Sequence, residues 1–389
     1  MSSVMRKTRF VCISDTHNQT PKLPRGDVLI HAGDLSNQGS ISELRKTVAW
    51  LEKADFEVKI VIAGNHDVTL DSQFYEKHGP LFHNQHRQDP EACQRLFTES
   101  SSITYLRHEA TTIRLQSPTG PHTQFSVFGS PYSPVLWTWA FQYSEAESVR
   151  LWDDIPLDTD VVITHTPPKN HRDATGRGHS TGCEALRRAL WRVRPRLAVC
   201  GHIHEGRGAE RVRWNLDGPQ CRYIEVGTEA WTDPGAGNSK QSLVDLTSKG
   251  GNSLDNDGAS TRHDASSLAS RWPFSEGGGQ PQVPQVPQPS VPKSTFRSEY
   301  IRGRLSGGTK EEKAVQQGLT ENLGGSLIED DCAVSGTPKE GAFEGRAGRK
   351  ETCVINAAIM ASSWGGPKRF NKPIVVDIDL LVWVDTTNA

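Results

Sequence analysis

VKIVIAGNHD, Val58 to Asp67, is an apolar run that stops on three polar residues. Val58 to Ala63 reads as a buried strand, because β-branched side chains pack well on a pleated surface. Asn65, His66 and Asp67 side by side need water, a metal ion or a substrate. Burial and chemistry therefore meet at one strand end.

Outward from this stretch the pattern repeats. RFVCIS (9–14) leads into Asp15 and His17, DVLIHA (27–32) into Gly33-Asp34, DVVITH (160–165) ends on His165, and RLAVCG (196–201) runs into His202 and His204. QFSVFG (124–129) is a further strand-like run. Segments of helical period lie between them: SISELRKTVAWLEKA (40–54), with Ser40 as N-cap, and STGCEALRRALWRV (180–193). Strand alternating with helix predicts an α/β sheet flanked by helices, with the carboxyl ends of its parallel strands forming one edge where ligands bind.

That edge would gather Asp15, His17, Asp34, Asn65, His165, His202 and His204 from distant positions. Imidazoles with carboxylates and an amide oxygen suit Mn, Fe, Zn or Mg rather than a thiolate-loving ion. Seven ligands exceed the need of one ion that must also hold water and substrate, so a bridged pair is the economical reading, with Asp34 as the bridge and Mn2+ as first choice. Each motif alone has a plain explanation as an Asx-turn, a tight turn or a core histidine. Five such strand ends in order do not.

Asp15-x-His17, Gly33-Asp34, Gly64-Asn65-His66-Asp67, His165 and Gly201-His202-x-His204 together resemble the motif series of the calcineurin-like metallophosphoesterases. IAGNHDVTLD, THTPP, GHIHEGRG and VINAAIM are similar, more narrowly, to the metallophosphoesterase-domain proteins related to brain phosphodiesterases. The resemblance covers roughly 8–247 and 350–384. It implies a four-layer α/β/β/α sandwich. It also implies that Asp15, His17, Asp34 and His204 bind one metal and Asp34, Asn65, His165 and His202 the other. His66 is the implied non-ligand histidine near the phosphoryl group, acting as general acid with Asp67 orienting it. The implied activity is hydrolysis of a phosphate ester, with a diester such as a cyclic nucleotide preferred. A phosphomonoesterase and a non-catalytic binding scaffold are the alternatives.

The chain has 389 residues and a formal net charge of −2, which argues against a protein that coats nucleic acid. Its seven cysteines form no disulfide framework and no CxxC pair, and Cys12 and Cys200 sit in apolar runs as buried thiols. Without a leader or any run near ~18 apolar residues, a cytoplasmic setting is expected. Composition changes at about residue 248, so 248–349 reads as a disordered low-complexity insertion between 1–247 and 350–389. Its PxxP spacing at Pro281, Pro284 and Pro287 offers a ligand for a partner domain. The runs at 351–364 and 372–384 are expected to complete the sheet of the first half.

Two loops invite a substrate role. The loop 169–182 carries His171, Arg172, Arg177 and His179, read either as a solvated basic loop or as a phosphate contact. In GSPYSPVLWTWAF (129–141), Tyr132, Trp137 and Trp139 either pack under the loop or offer a platform for a nucleobase. His83, His86, His108 and His122, in polar stretches, are expected to be solvated.

Overall fold

The computed structural model describes residues 4–216, 225–256, 348–361 and 368–384. In chain order the strands are β1 (Met5–Ile13), β2 (Val28–Ala32), β3 (Val58–Ile62), β4 (Thr104–Tyr105), β5 (Glu109–Arg114), β6 (Gln124–Ser130), β7 (Ser133–Pro134), β8 (Gln142–Tyr143), β9 (Val161–Thr164), β10 (Leu197–Cys200), β11 (Gly208–Trp214), β12 (Glu225–Ala230), β13 (Ser242–Leu246), β14 (Glu351–Asn356) and β15 (Ile374–Leu381). The helices are α1 (Ile41–Lys53), α2 (Ser72–Phe82), α3 (Pro90–Thr98), α4 (Glu145–Asp153) and α5 (Glu184–Val193).

Strand pairing builds one sheet in the order β13-β15-β1-β2-β3-β4 and a second in the order β12-β11-β14-β10-β9-β6-β5. Alternation along each strand explains why they stack. In β1, Phe10 and Cys12 face the core between the sheets, while Val11 and Ile13 face the core under α1 and α3. In β9, Val161 and Ile163 join the same central core, while Val162 packs with Leu186 and Leu190 of α5. Each face is covered, so the strands read as unbroken apolar runs. The layers are helix, sheet, sheet, helix, as the resemblance implied. Each fully buried aliphatic or aromatic side chain stabilises this stack by about 1.5–3 kcal/mol.

α1 begins as predicted: Ser40 and Glu43 form a capping box, with the Ser40 amide donating to Glu43 Oε2 at 2.8 Å. Both C-terminal runs are strands, but they go to different sheets. β14 lies between β10 and β11, and β15 pairs antiparallel with β1 from Met5↔Leu381 to Cys12↔Ile374.

The packed polypeptide extends further into the expected 248–349 insertion than composition suggests. Leu254 is buried in the inter-sheet core, and Asn256 exchanges hydrogen bonds with the Glu351 backbone in both directions at 2.9 Å. Arg349 donates to Thr159 O at 2.8 Å and to Asp160 Oδ1 at 2.6 Å. These anchors are single residues in polar sequence, which a compositional reading averages away. The rest of that stretch, with its PxxP prolines, lies outside the described residues. Among the described residues no helix is long and apolar enough to cross a membrane.

Candidate metal centre

The parallel strands β1, β2 and β3 of one sheet and β9 and β10 of the other end at the same place. Where they end, the backbone is forced into the left-handed region: Asp15, His17, Asp34 and His202 have φ of 51°, 43°, 54° and 65°. Non-glycine residues adopt such angles at a cost, and clusters of them mark functional sites. Close approach also fixes two glycines. A Cβ on Gly64 would sit 2.3 Å from Asp34 Oδ1, and one on Gly201 would sit 2.2 Å from Asp15 Oδ2.

All seven residues singled out by the strand-end pattern meet here. Asp15, His17 and His204 form one buried group and Asp15, Asp34 and His165 another, each with ligand atoms within 4.8 Å of one another. Asp34 faces both ways, with Oδ2 3.6 Å from His17 Nε2 and Oδ1 3.4 Å from His165 Nε2. His165 Nε2 lies 3.0 Å from Asn65 Oδ1, and its Nδ1 lies 3.0 Å from Ala32 O. His204 Nε2 is 3.3 Å from Asp15 Oδ1 and 3.4 Å from His17 Nε2. His202 enters by its ring, 4.9 Å from that of His165, and its amide donates to Asp15 Oδ2 at 3.0 Å.

The protonation states fit a cation. Burial pushes the Asp34 carboxyl up, but the facing charges of His165 and His66 outweigh it and hold the group well below the usual range. Asp15 is likewise raised by burial and brought down to about 2 by its His204 partner. Burial, above all, brings His17 to about 4 and His202 to about 3, so both are neutral with free lone pairs. His165, opposed by burial but drawn by Asp34, is raised to about 9. Its proton supplies the positive charge that this donor set demands, the place a divalent ion takes when it binds.

His66 is half-buried beside the cluster. Its amide donates to Asp34 Oδ1 at 2.9 Å and its Nδ1 lies 2.8 Å from Asn37 O. Asp67 does not orient it, contrary to the sequence expectation. The Asp67 carboxylate accepts from the amides of Gly64, Leu35 and Ser36 and from Ser36 Oγ at 2.6–3.1 Å, stapling the Gly33-Asp34 and Gly64-Asn65 turns together. Burial and the nearby Asp34 raise it to about 6.

The basic loop is not simply solvated. His171 is buried between Glu210 (2.7 Å) and Glu225 (3.0 Å), and Arg172 reaches Arg207 O at 3.2 Å. Arg177 and His179 are exposed. His108 is not solvated either, pairing with Ser130 Oγ at 3.0 Å and Asp154 at 3.3 Å, and His83 pairs with the Tyr75 hydroxyl at 3.0 Å. Partners 8 to 54 residues away engage groups that local polarity marks as wet.

Asn356 is the residue that sequence reasoning missed. Fully buried at the end of β14, it donates Nδ2 to Arg172 O (3.0 Å), Ile203 O (2.8 Å) and, longer, Gly201 O (3.4 Å). It thus holds the turn that carries His202 and His204. A buried Asn inside TCVINAAI was the available signal. Asn356→Asp, which replaces the donor with oxygen facing carbonyls, is expected to weaken metal affinity by roughly 10–100-fold. Metal titration of the chelator-stripped protein checks this, and an unchanged affinity would show that the turn holds itself.

Residues 8–206 match the profile of the calcineurin-like phosphoesterases. This chain belongs to that family. The calcineurin-like phosphoesterase described here is 42% identical over 225 residues to a protein of Emericella nidulans named probable rhamnogalacturonate lyase C, covering 57% of this chain and 20% of that one. It is 38% identical over 210 residues to human metallophosphoesterase domain-containing protein 1, covering 52% of this chain and 62% of that one. The chain thus spans a fifth of the first relative and under two thirds of the second. Among solved structures, TT1561 of Thermus thermophilus aligns with a TM-score of 0.32 at 14% identity, over 57% of this chain and 89% of that one.

Proposed function

We propose that this phosphoesterase hydrolyses phosphodiesters with two divalent ions, Mn2+ being the first choice. Asp15, His17, Asp34 and His204 hold one ion, and Asp34, Asn65, His165 and His202 the other. The observation that carries this is the two-sided Asp34 carboxylate, whose oxygens each face a histidine of a different group. The ions, when bound, lower the pKa of a water toward neutrality and neutralise phosphoryl oxygens. The chain's own residues do the rest. Buried carboxylates stay ionised, Asn65 offers a neutral oxygen that leaves the site positive for an anion, and His66 delivers a proton to the leaving oxygen.

A diester is favoured over a monoester by where the cations are. A monoester brings a second negative charge, yet His171 is held by Glu210 and Glu225 and Arg172 by a carbonyl, so the basic loop offers only its exposed end. The aromatic loop supports a base-bearing substrate instead. Trp137 is 67% exposed, on a groove of about 790 Å³ shared with Phe74, Tyr132 and Trp139, whose walls carry Lys77 and Arg150 as well as Asp71, Glu147 and Asp154. None of the seven candidate ligands lines it, and it joins the site through Trp139, stacked on His66 at 4.0 Å. A cytoplasmic setting belongs to the same reading, supported by Cys12, Cys93, Cys183, Cys200 and Cys353, all free and buried.

The test is a metal-reconstituted assay of bis-p-nitrophenyl phosphate, p-nitrophenyl phosphate and a cyclic nucleotide side by side. The diesters are expected to turn over faster. Trp137→Ala is expected to raise KM for the cyclic nucleotide roughly tenfold, the scale of one lost base stack. Faster monoester turnover that Arg177→Ala abolishes, with KM unmoved in Trp137→Ala, would make the protein a phosphomonoesterase.

A further inference from the structure

Among the neighbours of His66, one has no role in the chemistry described so far. Trp139 lies against the imidazole with ring centroids 4.0 Å apart and planes inclined by 33°. On another side of the imidazole, His17 meets it edge-on at 4.8 Å and 90°. His66 is therefore confined between a candidate ligand and an indole, while Nδ1 is fixed on Asn37 O at 2.8 Å.

Trp139 is itself held to the same turn. The Ala140 amide donates to Asn65 O at 3.3 Å, and the Phe141 amide donates to Asp71 Oδ2 at 2.9 Å. Phe82 at the end of α2 backs the indole at 5.3 Å. The loop that reaches out to the exposed Trp137 is thus tied to the backbone of Asn65, one residue from His66. A ring that only filled space under the loop would not need this registration to the Gly64-Asn65-His66 turn.

We propose that Trp139 is a positioning residue for His66: its indole face, with the Asn37 carbonyl, sets the plane and tautomer of the imidazole so that Nε2 points at the leaving oxygen. This rests on the proposed hydrolysis at the same site. Nδ1 keeps its hydrogen on Asn37 O. With the imidazole doubly protonated, the oxygen of water bonds to phosphorus and gives its own proton to solvent, the P–O bond to the leaving group breaks, the leaving oxygen takes the proton from Nε2 to leave the neutral Nδ1–H tautomer, and solvent restores the Nε2 proton afterwards. A proton delivered by a ring free to swing is delivered less often, and the loss is felt most where the leaving group needs it most. Trp139 and Trp137 then have separate tasks, the first orienting the acid and the second facing the substrate.

The experiment compares full-length wild type, Trp139→Leu and Trp139→Phe, metal-reconstituted, on methyl aryl phosphodiesters whose phenols run from nitro-substituted to unsubstituted. Trp139→Leu is expected to lower kcat roughly tenfold for the unsubstituted phenol, part of the ~10²-fold that a general acid supplies, with little loss for the nitrophenol and unchanged KM and metal content. Trp139→Phe, which keeps an aromatic face, is expected to recover most of it. In the metal-free protein with 15N-labelled histidine, at a pH where the His66 ring is neutral, the signal that disappears in His66→Ala should be the Nδ1–H tautomer in wild type and Trp139→Phe, and averaged in Trp139→Leu. Equal losses across all leaving groups, an unmoved kcat, or an unchanged His66 signal in Trp139→Leu would overturn the assignment. If wild type hydrolyses none of the esters, it is the proposed hydrolysis that fails, and the nitrogen spectrum still decides whether Trp139 orients His66.

Discussion

Asp34→Ala is expected to lose hydrolysis to below detection together with most of the bound metal, the largest effect of any single substitution in this site. Its carboxylate is buried and held ionised, and its two oxygens face His17 and His165 at 3.6 and 3.4 Å. Removing it takes from the Asp15–Asp34–His165 group, and from beside His17 of the other, a charge that no water replaces. It also takes away the acceptor for the His66 amide, so the acid shifts as the ions leave. Elemental analysis and a diester assay on the same preparation read both losses. Wild-type metal content with unchanged turnover would remove Asp34 from the site.

His66→Ala is expected to keep the metals and lower kcat by roughly 10²-fold, the scale of one general acid. His66 belongs to neither of the two buried ligand groups found among the described residues, and its Nδ1 is committed to Asn37 O. The distinction from Asp34→Ala is therefore in metal content rather than in rate alone. Loss of metal from His66→Ala would make His66 a ligand.

Much of this site is legible in the sequence because it lies at strand ends. The strands β1, β2, β3, β9 and β10 end in apolar runs that are buried on both faces, and each passes directly into its polar residues. The chain itself thus carries the order in which ligands appear. What is not legible depends on partners far along the chain. Asp67 reads as a neighbour for His66, but its carboxylate serves backbone amides 31 and 32 residues earlier. Asn356 is 184 residues from the Arg172 carbonyl it holds.

The helices show the same division. α1 is readable from its capping box and its apolar spacing. α2 is hidden by Gly79 and Pro80, a pair that normally stops a helix, here falling in its last turn. α3 and α4 run nine residues each, too short for periodicity to stand out, although Asp89 before Pro90 and Ser144 with Glu147 are sound start signals. The segment after Asn356 is family-like in sequence, but its purpose shows only in the fold. The Ser14 amide donates to Ala357 O at 2.9 Å, the Ile359 amide to Ser14 O at 2.8 Å and the Ala357 amide to Cys200 O at 2.8 Å, so it ties the end of β1 to the end of β10. That tie brings the ligands of the two sheets to one edge.

The most direct test of a shared centre is electron paramagnetic resonance of the chelator-stripped full-length protein refilled with Mn2+. A carboxylate shared between two ions brings them close enough for exchange coupling, so wild type is expected to give the spectrum of a coupled pair. Independent Mn2+ ions, showing the uncoupled hyperfine pattern at full occupancy, would contradict the bridging role of Asp34 on which the proposed function stands.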